Sequence, residues 1–164
     1  MREAAQGDRL ITPHIEFHDK MTLNLGERTL ELMAVKNVHS EADTAVWLPK
    51  ERVLFAAAAV TPNALQNIRP FINASDMVNG LKLMKSLNPD VVVPAHGAPG
   101  TAKMFDDALG FYALLLERVD KMVKEGKSLE QIKQELRMPE YDSWVAKERL
   151  PDNIAAAYRT VKGN

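Results

Sequence analysis

Two unbroken apolar runs restrict the fold of this chain more than any other feature. One is Val53-Leu54-Phe55-Ala56-Ala57-Ala58-Ala59-Val60, and the other is Val91-Val92-Val93. Each is short and bounded by turn residues, Pro49-Lys50-Glu51 before the first and Pro89-Asp90 and Pro94 around the second. Runs of this length and composition read as strands inside a sheet. Because no polar residue interrupts the first run, it is expected to be buried on both faces.

The chain divides near Gly100. Before it, strands dominate. Residues 14–17 read as a short extended piece. Met21-Thr22-Leu23-Asn24-Leu25 alternates, Gly26-Glu27 turns, and Thr29-Leu30-Glu31-Leu32-Met33-Ala34-Val35 alternates again, which is a hairpin pattern. Residues 44–48 and 52–57 form a second hairpin. A helix opens near Ser75 and sets Met77, Leu81 and Met84 on one face. After Gly100 the pattern is helical. Met104, Ala108, Phe111, Leu115, Val119 and Met122 recur at spacings of three and four, an amphipathic stripe. Gly126 ends that helix, and Ser128-Leu129-Glu130-Gln131 is a capping box for the next. Pro151 suits the first turn of a last helix carrying Ile154, Ala157, Tyr158 and Val161. One domain, 1–164, is expected, with a strand-rich half at 1–100 and a helical extension at 101–164.

Composition excludes several functions. With 21 Lys and Arg against 22 Asp and Glu, the net charge is -1, and no block of like charge marks a nucleic-acid or membrane surface. There is no cysteine, so disulfides, thiolate metal sites and cysteine nucleophiles are ruled out. Residues 1–8 have no apolar signal core, and no apolar run approaches a membrane span. Cytoplasm is the expected compartment.

Catalytic strings are mostly missing. There is no Gly-x-Ser-x-Gly, no phosphate-binding glycine loop and no His-Glu-x-x-His. His14 and His18 are four apart, but Pro13 and the Ile15/Phe17 alternation favour an extended piece, where such residues lie about 13 Å apart. His39 and His96 have more telling settings. His39 precedes the acidic turn Glu41-Ala42-Asp43 and then a strand. His96 follows a strand and precedes Gly97-Ala98-Pro99-Gly100, which lets backbone and ligands approach closely. An imidazole at a strand end sits on a rigid mount and can be aimed at a metal.

The succession of a strand, the His39-Ser40-Glu41-Ala42-Asp43 turn, a strand ending Leu48-Pro49, the strand Val53-Leu54-Phe55-Ala56, a helix, and Pro89-Asp90-Val91-Val92-Val93-Pro94-Ala95-His96-Gly97 resembles the metallo-β-lactamase-fold hydrolases. The second string is similar to that family's last metal-ligand string. The tail from Gly126 through Pro139-Glu140-Tyr141 to Asn153-Ile154-Ala155-Ala156-Ala157-Tyr158 resembles the C-terminal extension of many such enzymes. The stretch Leu48-Pro49-Lys50-Glu51-Arg52-Val53-Leu54 and the region of Asn67 are similar to the alkylsulfatase branch. The resemblance runs from about Ile11 to the end.

The resemblance implies an α/β fold, one half of an αββα sandwich: a mixed sheet covered by helices on one face, with a helical C-terminal extension. It implies that His39 and His96 are zinc ligands and that Asp43 orients its turn rather than binding metal. In a complete site of this kind, metal-bound hydroxide attacks an ester, amide, thioester or sulfate ester. Three departures follow. The family's leading His-x-His-x-Asp-His string occurs nowhere. Its bridging acid falls at Ala58. The glycine before the His96-Gly97 pair is Ala95. A hydrolytic zinc needs three protein ligands and an open water position, so the chain is expected to be the C-terminal half of such a hydrolase, with weak or no zinc binding, little or no activity alone and no residue assigned as catalytic. Its bare sheet face is expected to make a homodimer or to take a missing N-terminal half, with no nucleic-acid or membrane partner. The alternative is a non-catalytic interaction or scaffold domain that kept the fold and lost the metal chemistry.

Overall fold

A computed structural model describes residues 13–163. Residues 1–12, including the stretch read above for a signal core, lie outside the described residues. The elements are β1 (Lys20–Leu25), β2 (Arg28–Val35), β3 (Asp43–Leu48), β4 (Val53–Phe55), α1 (Ala74–Ser86), β5 (Val91–Val93), α2 (Lys103–Lys124), α3 (Leu129–Glu135) and α4 (Leu150–Lys162). Single 3-10 turns occur at Pro139–Tyr141 and Lys147–Arg149.

The strands form one mixed sheet in the order β1-β2-β3-β4-β5. The first four are antiparallel neighbours, and β5 joins β4 in parallel after the α1 crossover. Gly26 closes the first hairpin at φ +72°, a conformation glycine adopts without penalty. The register runs Met33 opposite Ala45 and Glu31 opposite Trp47, then Trp47 opposite Leu54 and Leu54 opposite Val92. Met33, Val35, Ala45, Trp47, Leu54 and Val92 therefore share one face. All are buried, in one core with Met77, Leu81 and Met84 of α1 and Phe105, Phe111, Tyr112 and Leu115 of α2. α1 sits very close to the sheet. A Cβ added at Gly80 would lie 2.5 Å from Val38 Cγ2 and 3.0 Å from Val35 Cγ1.

The opposite face is apolar and uncovered. It carries Met21, Leu23 and Leu25 from β1 and Leu30, Leu32 and Ala34 from β2. Thr44, Val46 and Leu48 of β3, Val53 and Phe55 of β4, and Val91 and Val93 of β5 complete it. Every one of these is half-buried or exposed, with Leu25 at 63%, Phe55 at 44% and Val91 at 38%. At two residue rises by one strand spacing per side chain, the face covers roughly 400 Å² of flat sheet.

This geometry corrects the reading of 53–60 as a strand buried on both faces. Only Val53–Phe55 is strand, and helices cover only one of its faces; Val91–Val93, also read as an interior strand, is the edge strand β5 and buries only Val92. The alanines beyond it leave the sheet in a turn, and the buried Ala56, Ala59 and Val60 pack there. The run is unbrokenly apolar because it serves a covered face, an uncovered apolar face and a packed turn in succession. The 14–17 segment is likewise irregular rather than strand, with His14 and His18 both exposed at bends.

The helical layer follows the sequence closely. α2 buries Ala108, Phe111, Leu115 and Val119 of the expected stripe, with Met104 and Met122 half-buried at its ends. Gly126 (φ +82°) follows α2. The capping box is complete: Ser128 Oγ accepts from Gln131 N at 3.3 Å, and Ser128 N donates to Gln131 Oε1 at 2.8 Å. Pro151 lies in the first turn of α4. α4 packs on α1, α2 and α3 and is tied by a buried node. There Tyr112 Oη donates to Asn153 Oδ1 at 3.0 Å, and Asn153 Nδ2 donates to Gln66 O at 3.0 Å and Arg149 O at 2.8 Å. Burial pushes the Tyr112 phenol far up from its usual value. Among the described residues no helix is long and apolar enough to cross a membrane.

Candidate functional site

Strand direction decides which loops meet. β2 ends, β3 begins, and β4 and β5 end at the same edge of the sheet. His39 lies in the β2–β3 connection, Ala58 in the turn after β4, and His96 in the loop after β5. The topology thus brings these three sequence-distant positions to one edge, beside the uncovered face.

The His39 turn is built by Asp43. Asp43 Oδ2 accepts from His39 N at 2.6 Å and from Ser40 N at 2.8 Å, and its Oδ1 accepts from Ser40 Oγ at 2.8 Å. Asn37 takes the left-handed region at φ +58°, and its N–H donates to Ser40 O at 3.0 Å. Val38, fully buried against Gly80, anchors the turn from beneath. His39 itself is half-buried. With both carboxylate oxygens in these bonds, Asp43 holds the loop that presents His39.

The turns after β4 and β5 are joined by backbone. Ala56 N donates to Val93 O and Ala95 N donates to Ala57 O, each at 2.9 Å. Ala57 sits at φ +49°, where a Cβ is strained. Ala58 follows it, half-buried, and offers no donor atom to a metal. His96 is exposed. Gly97 at φ +93° lies against Pro62, whose Cδ would be 2.9 Å from an added Cβ. His18 is brought beside Glu41 and Asp43 along a groove of about 430 Å³ at the same end of the sheet, whereas His14 does not line it.

This donor set does not fit a hydrolytic zinc by itself. Among the described residues no three His, Asp or Glu side chains are grouped so as to hold a metal ion, and two imidazoles fall short of the three ligands such a site needs.

Sequence reasoning missed one feature near the edge. Residues 63–65 pair with Val145 in an isolated bridge, which brings Trp144 over the segment that leads away from Ala58. A cavity of about 300 Å³ lies between them. No local signal announces a pairing across eighty-odd residues of chain.

No protein-family profile and no curated protein sequence matches the chain. Solved structures do. A sec-alkylsulfatase from Pseudomonas sp., described as stereoselective and inverting, aligns over 92% of this chain and 27% of its own, at 20% identity and a TM-score of 0.72. A metallo-beta-lactamase family protein from Thermus thermophilus aligns over 93% of this chain and 50% of its own, at 16% identity and a TM-score of 0.66. A metallo-beta-lactamase from Pontibacter korlensis aligns over 62% and 49%, at 22% identity and a TM-score of 0.55. These likenesses show the fold: the chain is an α/β unit with part of the metallo-β-lactamase architecture. It spans between about a quarter and a half of the length of the structures it matches.

Proposed function

We propose that the chain is the C-terminal half of a metal-dependent hydrolase of the metallo-β-lactamase type. His39 and His96 are its contribution to a zinc site that a second sheet layer completes. The observation that carries this reading is the coincidence of two features: both His stand at one sheet edge, and that edge borders an uncovered apolar face. The face, at roughly 400 Å², is the size of functional patches on monomers. It is about half of the 800 Å² per partner of a standard interface, so it forms the centre of an interface whose rim is supplied by the surrounding loops. Asp43 keeps His39 in place, and Ala58 stands at the position where an acidic ligand is missing. The lack of cysteine accords with a reducing compartment, and the reading places the chain in the cytoplasm.

Where no separate N-terminal half is present, a second copy of the chain seats on the face. Sedimentation equilibrium at micromolar concentration tests this. The expected result is a mass well above 18.3 kDa that Phe55→Lys returns to 18.3 kDa; a clean 18.3 kDa species for the unaltered chain refutes self-association. The second reading, a scaffold that lost its chemistry, draws on Ala58 alone. Ala58→Asp separates the two: with a complementary layer supplied, restored zinc affinity favours the hydrolase half, and no gain with the fold intact favours the scaffold.

A further inference from the structure

The cavity beneath Trp144 has walls that are fixed before any ligand arrives. Gly100 is held to β5 in both directions, with Val92 N to Gly100 O at 2.8 Å and Gly100 N to Val92 O at 2.9 Å. The opposite wall is pinned by Leu65 N to Val145 O at 3.1 Å and Val145 N to Asn63 O at 2.8 Å. The Trp144 indole lies near-parallel to Phe111, at 5.8 Å and 29°, with Tyr141 edge-on at 4.7 Å. Preformed cavities with apolar walls and a few polar groups are the usual form of small-molecule sites.

The chemistry of the walls selects a ligand class. Pro62, Met104, Ala108 and Trp144 supply apolar surface, and Thr61, Asn63 and Thr101 add neutral polar groups between them. The charged residues at the rim, Lys103 and Asp107, pair with each other one helical turn apart, so the cavity mouth carries no net charge from them to select an anion. The buried Gln66 amide donates to Ala64 O at 3.3 Å. Met104 is unbranched and polarisable, and adapts to the shape of what it touches. Its Cε would clash with a Cβ at Gly100, so it lies directly on that backbone. The cavity also stands next to the candidate edge, since Gly100 lines it and Pro62, another lining residue, packs on Gly97 beside His96.

We propose that this cavity is a specificity subsite for a neutral apolar group, alkyl or aryl, of the substrate whose polar end reacts at the His96 edge. The proposal rests on the functional reading above for what happens at His96, but binding in the cavity needs no metal. The test is a metal-free titration of the full chain with benzyl alcohol, followed by the two indole N–H resonances, Trp47 and Trp144, and the backbone amides. Methyl phosphate serves as the anionic control. The expected result is a saturable shift of the Trp144 indole, with Trp47 stationary and methyl phosphate without effect. Thr101→Phe, at the exposed rim, is expected to weaken binding at least tenfold while leaving the remaining spectrum unchanged. A titration that moves only amides of the uncovered sheet face, such as Phe55, and leaves Trp144 in place overturns the proposal. So does a larger Trp144 shift with methyl phosphate than with benzyl alcohol. Because no metal is present, either outcome is separate from the fate of the zinc reading.

Discussion

Replacing Gly80 with alanine probes the contact that seats α1 on the sheet and holds the His39 turn from below. Alanine in the middle of a helix is favoured over glycine by about 1 kcal/mol from propensity alone. Against this stands the space available: the new Cβ would lie 2.5 Å from Val38 Cγ2 and 3.0 Å from Val35 Cγ1. Optimal carbon–carbon separation is about 3.5–4.0 Å, so α1 or Val38 must retreat by roughly 1 Å. Neither yields easily. Val38 is β-branched and fully buried, and Val35 is held in the ladder to Asp43. Overpacking of a tight core commonly costs about 1–3 kcal/mol, and the stiff neighbour puts this case at the upper end. The net expectation is a loss of about 1–2 kcal/mol. With a urea slope of about 2 kcal/mol per molar, the middle of the range for small proteins, the midpoint falls by roughly 0.5–1 M with the slope unchanged. The His39 and Ser40 amides, bonded to Asp43, are expected to exchange faster. A variant as stable as the parent, or more stable, would refute the close seating of α1 and with it the account of how His39 is held.

Three other outcomes are expected. Ala57→Gly relieves the strained φ of +49° and should raise stability by about 1 kcal/mol in urea unfolding, without altering the fold. Asn153→Leu leaves the Tyr112 hydroxyl and the Gln66 and Arg149 carbonyls without their partner and should cost about 2–4 kcal/mol by the same assay. Tyr112 governs part of the alkaline behaviour. Burial raises its folded-state value, so below about pH 10 both folded and unfolded chains keep the proton and stability is unaffected by it. Above that pH the unfolded chain releases the proton first, and stability falls by about 1.4 kcal/mol per pH unit for this group. Tyr112→Phe should flatten that part of the decline, as read from unfolding midpoints between pH 9 and 11.

The elements with strong local periodicity were legible in the sequence. The β1–β2 hairpin with its Gly26 turn, the α2 stripe, the Ser128 capping box and the Pro151 start of α4 all depend on neighbours within a few residues, and the structure has them. The uncovered face was expected from the resemblance to half of a sandwich, and the alternation along β1, β2 and β3 places it. Legibility ended where the environment comes from distant chain. The 53–60 run looks like a strand buried twice over because the residue types for an apolar face and for a packed turn are the same; only the one-sided helices reveal the difference at Phe55. The Trp144 cavity depends on Val145 meeting residues 63–65, which no periodicity encodes. For the candidate site, the motifs singled out His39, Asp43 and His96 as candidates, and the strand directions explain why the loops that carry them share an edge.

The measurement that bears most directly on the account is calorimetric titration of the purified chain with zinc at neutral pH. A chain that contributes His39 and His96 to a site completed elsewhere should bind zinc weakly and below one equivalent, with the residual heat reduced by His39→Ala. A tight isotherm with two zinc ions per chain, abolished by His39→Ala, would contradict it, because it would mean that this chain assembles a full ligand set by itself.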